Sequence, residues 1–380
     1  MCTRAKDYFS AIRLIMPQLD RERAAYKLKE AHLAKCLTDA LDLSPRLPRR
    51  LQTLELAKGR TPKLAPMPGN FPMIATEVLH QRQRIASGGL KIKDVNDLLD
   101  RLAAVENREG KTMVLQELIS KTNAVEMKWI LMIILKDMKL AMSEKSLFHE
   151  FHPDAEDMFN VTCDLQMVCK KLRNRHERYK RQDIEVGKAV RPQLASRVAD
   201  VETAWKKLHG KQVVVECKFD GDRIQVHKNG REVHFFSRNF FDHKEYEHGM
   251  SSVILQSIPV NKCILDGEML VWDKGTNRFA DFGTNQEIAK AAKDGLESNQ
   301  QLCYVAFDIL YVGDTSVIHQ SLCERHQLLH EVVKPMKGQL EVLLPKDDLN
   351  PRHGSGEPCW SFVAHSAEDV AKFFQETVEN

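Results

Sequence analysis

A β-branched run that starts at Val213 ends in Glu216-Cys217-Lys218-Phe219-Asp220-Gly221-Asp222-Arg223, and a second apolar run comes directly after it. A lysine at such a strand end is held in place by the backbone, so Lys218 is predicted to be a positioned nucleophile. An amine must lose its proton before it can act as a nucleophile, and desolvation or neighbouring cations favour the neutral form. Arg223 is an expected cation, and Gly221 permits a tight turn after the lysine.

The second half of the chain has the period of strands mixed with helices. Short β-branched or aromatic runs predict strands at residues 213–219, 223–228, 231–237, 263–272 and 302–312. Asn229-Gly230, between two of these runs, predicts a hairpin because this dipeptide tolerates positive φ.

Two helices are predicted near the end of the chain. Ser321 and Glu324 form a capping-box pattern that opens a helix reaching Val333. Ser366 is predicted to cap another helix. Its expected apolar face consists of Val370, Phe373, Phe374 and Val378.

The first half indicates helices. Phe9, Ile12, Leu14 and Ile15 recur near helical spacing between residues 7 and 41, and residues 94–102 and 114–135 have a similar pattern. Prolines crowd residues 45–72 and predict a long loop, and residues 86–89 predict a second break. The change of period falls near residues 185–191, so the predicted domains are 1–186 and 187–380.

Composition is that of a globular protein with unequal halves. Hydrophobic residues make up 43% of the chain and charged residues 29%. Residues 1–185 hold 33 Lys and Arg against 25 Asp and Glu, whereas the remainder holds 23 against 28. A basic half favours nucleic-acid contact, although ordinary solvated surfaces explain the charge equally well. The nine cysteines form no CxxC pair, which favours reduced thiols.

The sequence predicts neither a membrane anchor nor a signal peptide. The longest apolar run, residues 129–135, is far shorter than a membrane span, and the N-terminus has no apolar h-region. A different surface feature is the most basic stretch, residues 170–181, in which seven residues are basic: Lys170, Lys171, Arg173, Arg175, Arg178, Lys180 and Arg181. These cations could neutralise several phosphates, and a solvated helix face is the alternative.

The segment around Lys218 gains meaning from three downstream motifs. Alone, K-x-D-G also fits a surface turn with a charge pair. Downstream stand Phe236-Ser237-Arg238-Asn239, then Leu265-Asp266-Gly267-Glu268-Met269, then Ala306-Phe307-Asp308-Ile309-Leu310. This order and spacing resemble motifs I, Ia, III and IIIa of the ATP-dependent DNA ligases. The resemblance implies an all-α DNA-binding domain followed by an α+β nucleotidyltransferase domain, an ATP-grasp-like ligase adenylation domain.

The resemblance also implies a role for each matching position. Lys218 matches the lysine that forms a phosphoramidate with AMP. Around it, Glu216 matches the position that reads adenine, Cys217 and Phe219 line that pocket, and Arg223 lies on the ribose side. Arg238 matches an arginine near the ribose and the nicked-strand phosphate, Glu268 an acid that binds ribose or a divalent metal, and Phe307 the ring that stacks on adenine. The implied cofactors are ATP and Mg²⁺.

The resemblance extends along the whole chain. Residues 7–30, 142–146, 151–155 and 160–165 look like the helical DNA-binding domain of one group in this family, most like its plant form, and residues 191–195 resemble the entry to the nucleotidyltransferase domain. That group seals double-strand breaks by non-homologous end joining in the nucleus. The implied partners are double-stranded DNA with nicks or ends and, through C-terminal BRCT domains, a coiled-coil scaffold protein.

Departures from the family pattern set further expectations. The first helices of the DNA-binding domain are missing, and Ala141 stands where glycine is expected, which puts a close backbone approach to phosphate in doubt. The sequence stops at Asn380, before motifs IV and V, the OB-fold domain and the BRCT pair. These 380 residues are therefore expected to be unable to ligate DNA alone, and the scaffold protein is not expected to bind them.

Three other functions stay open. An RNA capping guanylyltransferase shares the lysine chemistry but typically lacks an acid at the position of Glu216. A non-catalytic DNA-binding fragment would explain the helical half and the basic run, and an RNA ligase differs only in its substrate.

One further pattern resembles a zinc site. His319, Cys323, His326 and His330 recur at helical spacing. An ordinary amphipathic helix is the preferred interpretation, because nothing else supplies a closed set of ligands.

Overall fold

The computed structural model describes residues 7–23, 26–41, 71–81, 88–180, 182–209, 211–280, 283–345 and 360–379. The chain divides into two compact units. Unit 1 comprises Met1–Phe159 and Cys163–Arg181, and unit 2 comprises Asn160–Thr162 and Gln182–Asn380. The division falls within a few residues of the predicted boundary, and the assignment of domains to residues 1–186 and 187–380 stays a prediction.

Unit 1 is built from helices. In chain order they are α1 (Tyr8–Ile15), a 3₁₀ turn (Pro17–Leu19), α2 (Glu30–Ala40), α3 (Phe71–His80), α4 (Ile92–Ala104), α5 (Arg108–Lys121), α6 (Ala124–Ile134), α7 (Glu144–Phe151), α8 (Ala155–Thr162) and α9 (Leu165–Lys171). Their apolar faces meet in one core that includes Leu33, Leu99, Leu115 and Leu131, each fully buried. The predicted all-α first half is confirmed.

The predicted helical stretch at residues 114–135 consists of two helices. It is interrupted at Thr122 and Asn123. The Asn123 side chain accepts the N–H of Glu126, and the Glu126 carboxylate accepts the N–H of Asn123. This reciprocal cap satisfies backbone donors that a helix start leaves free, so a new helix begins here.

Proline placement corrects one prediction. Most of the predicted loop at residues 45–72 lies outside the described residues, as do residues 86 and 87 of the second predicted break. Pro72, however, is the second residue of α3, so its assignment to the loop is wrong. The first turn of a helix accepts proline because its N–H would have no partner within the helix.

Unit 2 contains two β-sheets. A sheet of seven strands has the order β3-β2-β4-β6-β7, with β5 paired to β4 and β8 parallel to β6. Its strands are β2 (Asp222–Asn229), β3 (Glu232–Ser237), β4 (Lys262–Asp273), β5 (Arg278–Phe279), β6 (Gln300–Val312), β7 (Thr315–Ser316) and β8 (Leu340–Val342). A smaller antiparallel sheet pairs β1 (Val213–Glu216) with β9 (Ser361–Ala364).

The β2–β3 hairpin is confirmed, with a shifted turn. Asn229 pairs with Glu232, so the two loop residues are Gly230 and Arg231. Gly230 has φ of +61°, and neither Asn229 nor Arg231 has positive φ. Asn229 therefore closes the ladder, and only glycine uses the left-handed region, as expected when glycine occupies the first position of a type II′ turn.

The described residues of unit 2 also form five α-helices: α10 (Val201–Lys207), α11 (Glu247–Ser257), α12 (Asn285–Lys293), α13 (Leu322–Val332) and α14 (Ala367–Glu379). One face of the large sheet shares a core with α11, α12 and α13 that includes Ile254 and Leu329. The other face carries a second apolar cluster in which the partly buried rings of Phe219, Phe279, Phe307 and Trp360 pack. Several of the predicted site residues lie at this second cluster.

The two predicted helix starts in unit 2 are confirmed. Ser321 and Glu324 form the capping box of α13, and Ser366 accepts the N–H of Asp369 at the start of α14. Phe373 is buried, but Phe374 is 66% exposed, so its predicted place on the apolar face is wrong. Consecutive helical residues point in directions about 100° apart, which prevents both rings from facing one core. The side chain of Val378 lies outside the described residues.

The helices of the described residues are also too short or too polar to span a bilayer.

Candidate active site

Lys218 lies in the loop that joins β1 to β2. Its side chain is exposed, and its Nζ donates a hydrogen bond to the carbonyl of Phe219 at 3.3 Å. The loop starts from a fixed point, since Glu216 pairs with Ser361 in the small sheet and the N–H of Cys217 donates to the carbonyl of Trp360 at 2.8 Å. The backbone on the N-terminal side of Lys218 is thus anchored, whereas its amine is exposed to solvent and not desolvated as the sequence analysis expected.

Aromatic contacts hold the middle of this loop. The ring of Phe219 meets Phe279 and Trp360 edge-to-face, with centroid distances of 5.5 and 5.7 Å. Edge-to-face geometry is favourable because a positive ring edge meets a negative ring face. The Phe219 ring therefore packs the loop that carries Lys218 against β5 and against the segment that leads into β9.

Gly221 ends the loop where the backbone approaches β4. A Cβ atom at this position would lie 2.4 Å from the carbonyl oxygen of Met269 and 2.6 Å from the side chain of Leu270. Its φ is not positive. Close approach to β4, and not the conformational freedom expected from the sequence, explains why glycine stands here.

Glu268 projects from β4 directly opposite Arg223 in the strand register. The N–H of Gly221 donates to its Oε1 at 3.2 Å. Burial raises the pKa of the Glu268 carboxyl to about 7, while the Gly221 hydrogen bond and the charges of Lys218 and Arg223 oppose this rise. A carboxyl group in such a position favours an added cation, because a cation would offset the cost of its buried charge.

Arg223 is tied to three groups. Its guanidinium makes a two-point contact with the carboxylate of Asp266, and Nη1 donates to the carbonyl of Gln193 at 2.8 Å. Its central carbon lies 5.4 Å from the centroid of the Phe307 ring. The arginine therefore joins β2, β4 and β6, and its charge is directed to Asp266.

Phe307 sits at an irregularity of β6. Asp266 pairs with Asp308 and Gly267 pairs with Ala306, so Phe307 has no residue opposite it on β4. An extra residue of this kind bends a strand and redirects a side chain, and such bulges are common beside active sites. The Phe307 ring packs in the apolar cluster that also contains Phe219, Phe279 and Trp360, close to Arg223.

Glu216 and Arg238 differ in how they join this group. Partial burial and the charge of Asp308 raise the pKa of the Glu216 carboxyl, although the residue as a whole is exposed. Arg238 is exposed on the turn after β3. Among the described residues, no hydrogen bond or ion pair joins Arg238 to another predicted site residue.

Two open grooves lie away from these residues. One, of about 700 Å³, is lined by Tyr26, Trp129 and Lys136 in unit 1. The other, of about 680 Å³, is lined by Val253, Ile288 and other residues of α11, α12 and β6. Neither contains a predicted site residue, so the chemistry of the side chains and not the size of a cavity identifies the candidate site.

The residues of the suspected zinc stripe do not share one environment. Cys323 is exposed, whereas His326 is 6% exposed on the same helix. Within the described ranges, no three His, Cys, Asp or Glu side chains are grouped as metal ligands.

Comparison with known proteins agrees with both halves of the chain. The profile described as "DNA ligase N terminus" matches residues 2–152, and that described as "ATP dependent DNA ligase domain" matches residues 192–350. The chain belongs to the ATP-dependent DNA ligase family. The predicted fold class, helices followed by a sheet-containing ligase domain, is confirmed by these matches and by the two units.

Individual relatives define the branch of the ligase family. "DNA ligase 4" of Arabidopsis thaliana is 68% identical over 98% of this chain, which covers 31% of the relative. "Putative DNA ligase 4" of Oryza sativa subsp. japonica is 58% identical over 98% of this chain and 32% of the relative. "DNA ligase 4" of Homo sapiens is 35% identical over 88% of this chain and 37% of the relative.

These comparisons confirm the predicted likeness to the plant form of DNA ligase 4. The chain spans about a third of the length of the curated relatives it matches.

Sequence reasoning assigned no role to several side chains that shape this candidate site. Asp266 binds Arg223, and Asp308 forms a two-point ion pair with Arg325 of α13. The buried Tyr246 donates its hydroxyl to Asp222 at the start of β2. All three aspartates stood within motifs quoted from the sequence, but the register of β2 with β4 and the packing of α13 against β6 are needed to show which side chain each one meets.

Proposed function

We propose that this protein is an ATP-dependent DNA ligase in which Lys218 becomes adenylylated. The observation that carries the proposal is the exposed amine of Lys218 at the end of β1, with the carboxylate of Glu268 joined to the same loop through Gly221. The match of the chain to the ATP-dependent DNA ligase family supports a ligase over other enzymes that transfer a nucleotide to a lysine.

The proposed step transfers the AMP group of ATP to the enzyme. The Lys218 nitrogen forms a bond to the α-phosphorus, the bond from that phosphorus to the bridging oxygen breaks, and pyrophosphate leaves with the electron pair. The amine gives up a proton, and a phosphoramidate remains. Such a transfer depends mainly on positioning and charge neutralisation, which anchored side chains can supply.

Phe307 and Arg223 are the proposed contacts of the base and the ribose. Phe307 offers an aromatic face, and Arg223 is held next to that ring by Asp266. Glu216, at the end of β1, is the proposed reader of adenine, with Cys217 and Phe219 beside it in the chain. Cys217 and Phe219 pack into neighbouring apolar clusters, which supports a role in shaping the pocket wall.

Arg238 is the proposed contact of the DNA phosphate. It is exposed on a turn, where a long cation can reach a bound strand.

The single carboxylate of Glu268 is a suitable ligand for Mg²⁺, which does not require a site built entirely from protein groups. Mg²⁺ is usually held by one or two carboxylates together with substrate phosphates and water, so one carboxylate is enough. The raised pKa of Glu268 indicates a carboxyl group whose charge lacks compensation. When bound, Mg²⁺ would neutralise phosphate charge next to the nucleophile.

A labelling experiment tests the proposal. The protein is incubated with ATP labelled at the α-phosphate and with Mg²⁺, and the label on the chain is mapped by mass spectrometry. We expect one acid-labile adduct on Lys218, its loss in Lys218→Ala, and normal labelling in Lys211→Ala, an exposed lysine outside the loop. Label from GTP in preference to ATP would support a capping guanylyltransferase. DNA binding without any label would support a non-catalytic DNA-binding protein.

Double-stranded DNA with nicks or ends is the proposed substrate, and the basic stretch at residues 170–180 is a proposed contact. Only Lys170 and Lys171 lie on a helix, so the alternative of a continuous helix face does not describe this stretch. Arg175 and Arg178 form ion pairs with Glu150 and Asp154 that hold the following loop. Lys170, at the end of its helix, and Arg173 and Lys180, on the loop, are exposed cations, whereas Arg181 lies outside the described residues.

The salt dependence of DNA binding tests this contact. Replacing Lys170, Arg173 and Lys180 with alanine should lower duplex affinity and reduce the slope of log affinity against log salt by about 2 to 3, because each phosphate contact releases counterions. A variant with Lys206, Lys290 and Lys293 replaced removes equal charge from unit 2 and should keep the slope. Equal slopes for all three proteins would remove the loop from the DNA contact.

The proposed biological role is the joining of broken DNA by non-homologous end joining in the nucleus. The relatives named DNA ligase 4 support this role. We propose the coiled-coil scaffold protein as a partner of full-length family members through their BRCT domains, which are not among the segments matched here.

A further inference from the structure

Two neighbouring residues of α13 hold two neighbouring residues of β6. Arg325 donates from Nε to Oδ1 of Asp308 at 2.8 Å and from Nη2 to Oδ2 at 3.0 Å. The side chain of His326 lies near the backbone of Phe307, which raises the pKa of the imidazole against the larger lowering caused by burial. His326 is 6% exposed, and its Nε2 has no hydrogen-bond partner among the described residues, so its ring is placed by the Phe307 contact and by packing.

The held segment is the bulge that aims the Phe307 ring. At a bulge the ladder of backbone hydrogen bonds is interrupted, so it fixes the extra residue less firmly than its neighbours. His326 lies near the backbone of Phe307, and Arg325 binds Asp308, the next residue. The contact of Arg325 is rigid because a planar guanidinium meets a carboxylate at two points, and because Arg325 also donates to the carbonyl of Gln320 at 2.7 Å.

The same ion pair balances the charge of the site. The candidate site includes four carboxylates: Glu216, Asp266, Glu268 and Asp308. Arg223 compensates Asp266, and Arg325 compensates Asp308. Asp308 acts electrostatically on both Glu216 and Asp266. Without Arg325, an uncompensated carboxylate would face the residue proposed to read adenine and would repel the triphosphate.

We propose that Arg325 and His326 are positioning residues that aim the Phe307 ring and set the charge next to Glu216, and so select adenine and strengthen ATP binding. This inference rests on the proposed function. Neither residue needs to touch the nucleotide. A merely structural role for α13 would change stability without changing the preference between bases.

Steady-state exchange of labelled pyrophosphate into ATP or GTP, in which each reverse reaction frees the lysine again, tests the proposal in Arg325→Gln, His326→Phe and the double variant Asp308→Asn with Arg325→Gln. We expect Arg325→Gln to raise the KM for ATP about tenfold with a smaller change in kcat, because ground-state binding is lost. The double variant removes both charges and should recover most of that loss. His326→Phe keeps a ring but loses the polar nitrogens next to the Phe307 backbone, and should narrow the preference for ATP over GTP.

Lys262→Gln is the matched control, since it breaks an ion pair of 2.8 Å with Asp314 in the same unit and should leave both constants unchanged. Urea unfolding of each variant separates loss of fold from loss of binding. A fully folded Arg325→Gln with unchanged KM and base preference would overturn the inference. If the double variant has as high a KM for ATP as Arg325→Gln, the proposed role of the charge balance is overturned.

The failure of the proposed function gives a different result. No label on Lys218 in the unchanged protein would contradict that function. Equilibrium binding of ATP and GTP, read from tryptophan fluorescence, would then still judge the inference: unchanged affinity and base preference in Arg325→Gln would overturn it.

Discussion

Arg223 donates two hydrogen bonds to the carboxylate of Asp266, at 3.2 Å from Nε and 2.8 Å from Nη2. Asp266 is 4% exposed and belongs to β4, whereas Arg223 belongs to β2. Burying a carboxylate is costly unless a cation accompanies it, so the pair depends on both partners. The contact links the strand after the nucleophile to the strand that carries Glu268.

Removal of the arginine is predicted to destabilise unit 2. Arg223→Ala leaves Asp266 buried without its cation, and we expect the free energy of unfolding to fall by about 2 to 4 kcal/mol. Arg223→Lys keeps the charge but loses the two-point geometry, so an intermediate loss is expected. Urea unfolding followed by tryptophan fluorescence measures both.

The exposed pair of Lys262 and Asp314 provides the control. Lys262→Ala should leave the free energy of unfolding almost unchanged, as is usual for surface pairs. Equal losses for Arg223→Ala and Lys262→Ala would contradict the importance of burial.

Gly221 provides a second prediction. Gly221→Ala places a Cβ atom against the backbone of Met269, which cannot move as a flexible side chain could. We expect a loss of about 1 to 3 kcal/mol in the free energy of unfolding, typical of overpacking. The hydrogen bond from Gly221 to Glu268 should lengthen, so labelling of Lys218 should slow more than a general loss of stability explains.

Gly89→Ala is the matched control, because no atom lies within 4 Å of a Cβ built there. It should stay within about 0.5 kcal/mol of the unchanged protein. If both substitutions have the same small effect, the close approach at Gly221 does not constrain the loop.

The sequence predicted the positions of the long strands because apolar β-branched runs are local signals, but it did not predict their order in the sheet. It did not predict β9, a strand of four residues whose pairing with β1 spans about 150 positions of sequence. Short strands such as β5 and β8 have too few residues for a recognisable period and exist because a neighbouring strand offers hydrogen bonds.

In the candidate site, too, the sequence indicates some residues, but the contacts between distant residues require the structure. Resemblance to a family picked out Lys218, Glu268 and Phe307, but not the partners that position them. Arg223 and Asp266 are 43 residues apart, and only the antiparallel register of β2 and β4 brings them together. The bulge at Phe307 likewise depends on a mismatch between two strands, which neither strand reveals alone.

Glu268 leads to a prediction about pH. Burial raises the pKa of its carboxyl to about 7 in the folded protein, above the ordinary value of 4.5. Below pH 4.5 the group is protonated in both states and favours neither. Between pH 4.5 and 7 the unfolded chain releases the proton that the folded chain keeps, so the free energy of unfolding falls as pH rises. Above pH 7 the loss is complete, at about 2 kcal/mol after allowance for partial exposure.

Glu268→Gln should remove this contribution. Urea unfolding of both proteins from pH 5 to 8 should show the variant gaining about 2 kcal/mol relative to the unchanged protein as pH rises. Addition of Mg²⁺ at pH 7 should stabilise the unchanged protein more than the variant, if the carboxylate holds the ion as proposed. Glu297→Gln, at an exposed glutamate, should run parallel to the unchanged protein at every pH. A parallel profile for Glu268→Gln itself would show that its carboxyl ionises in the folded protein as freely as in the unfolded chain.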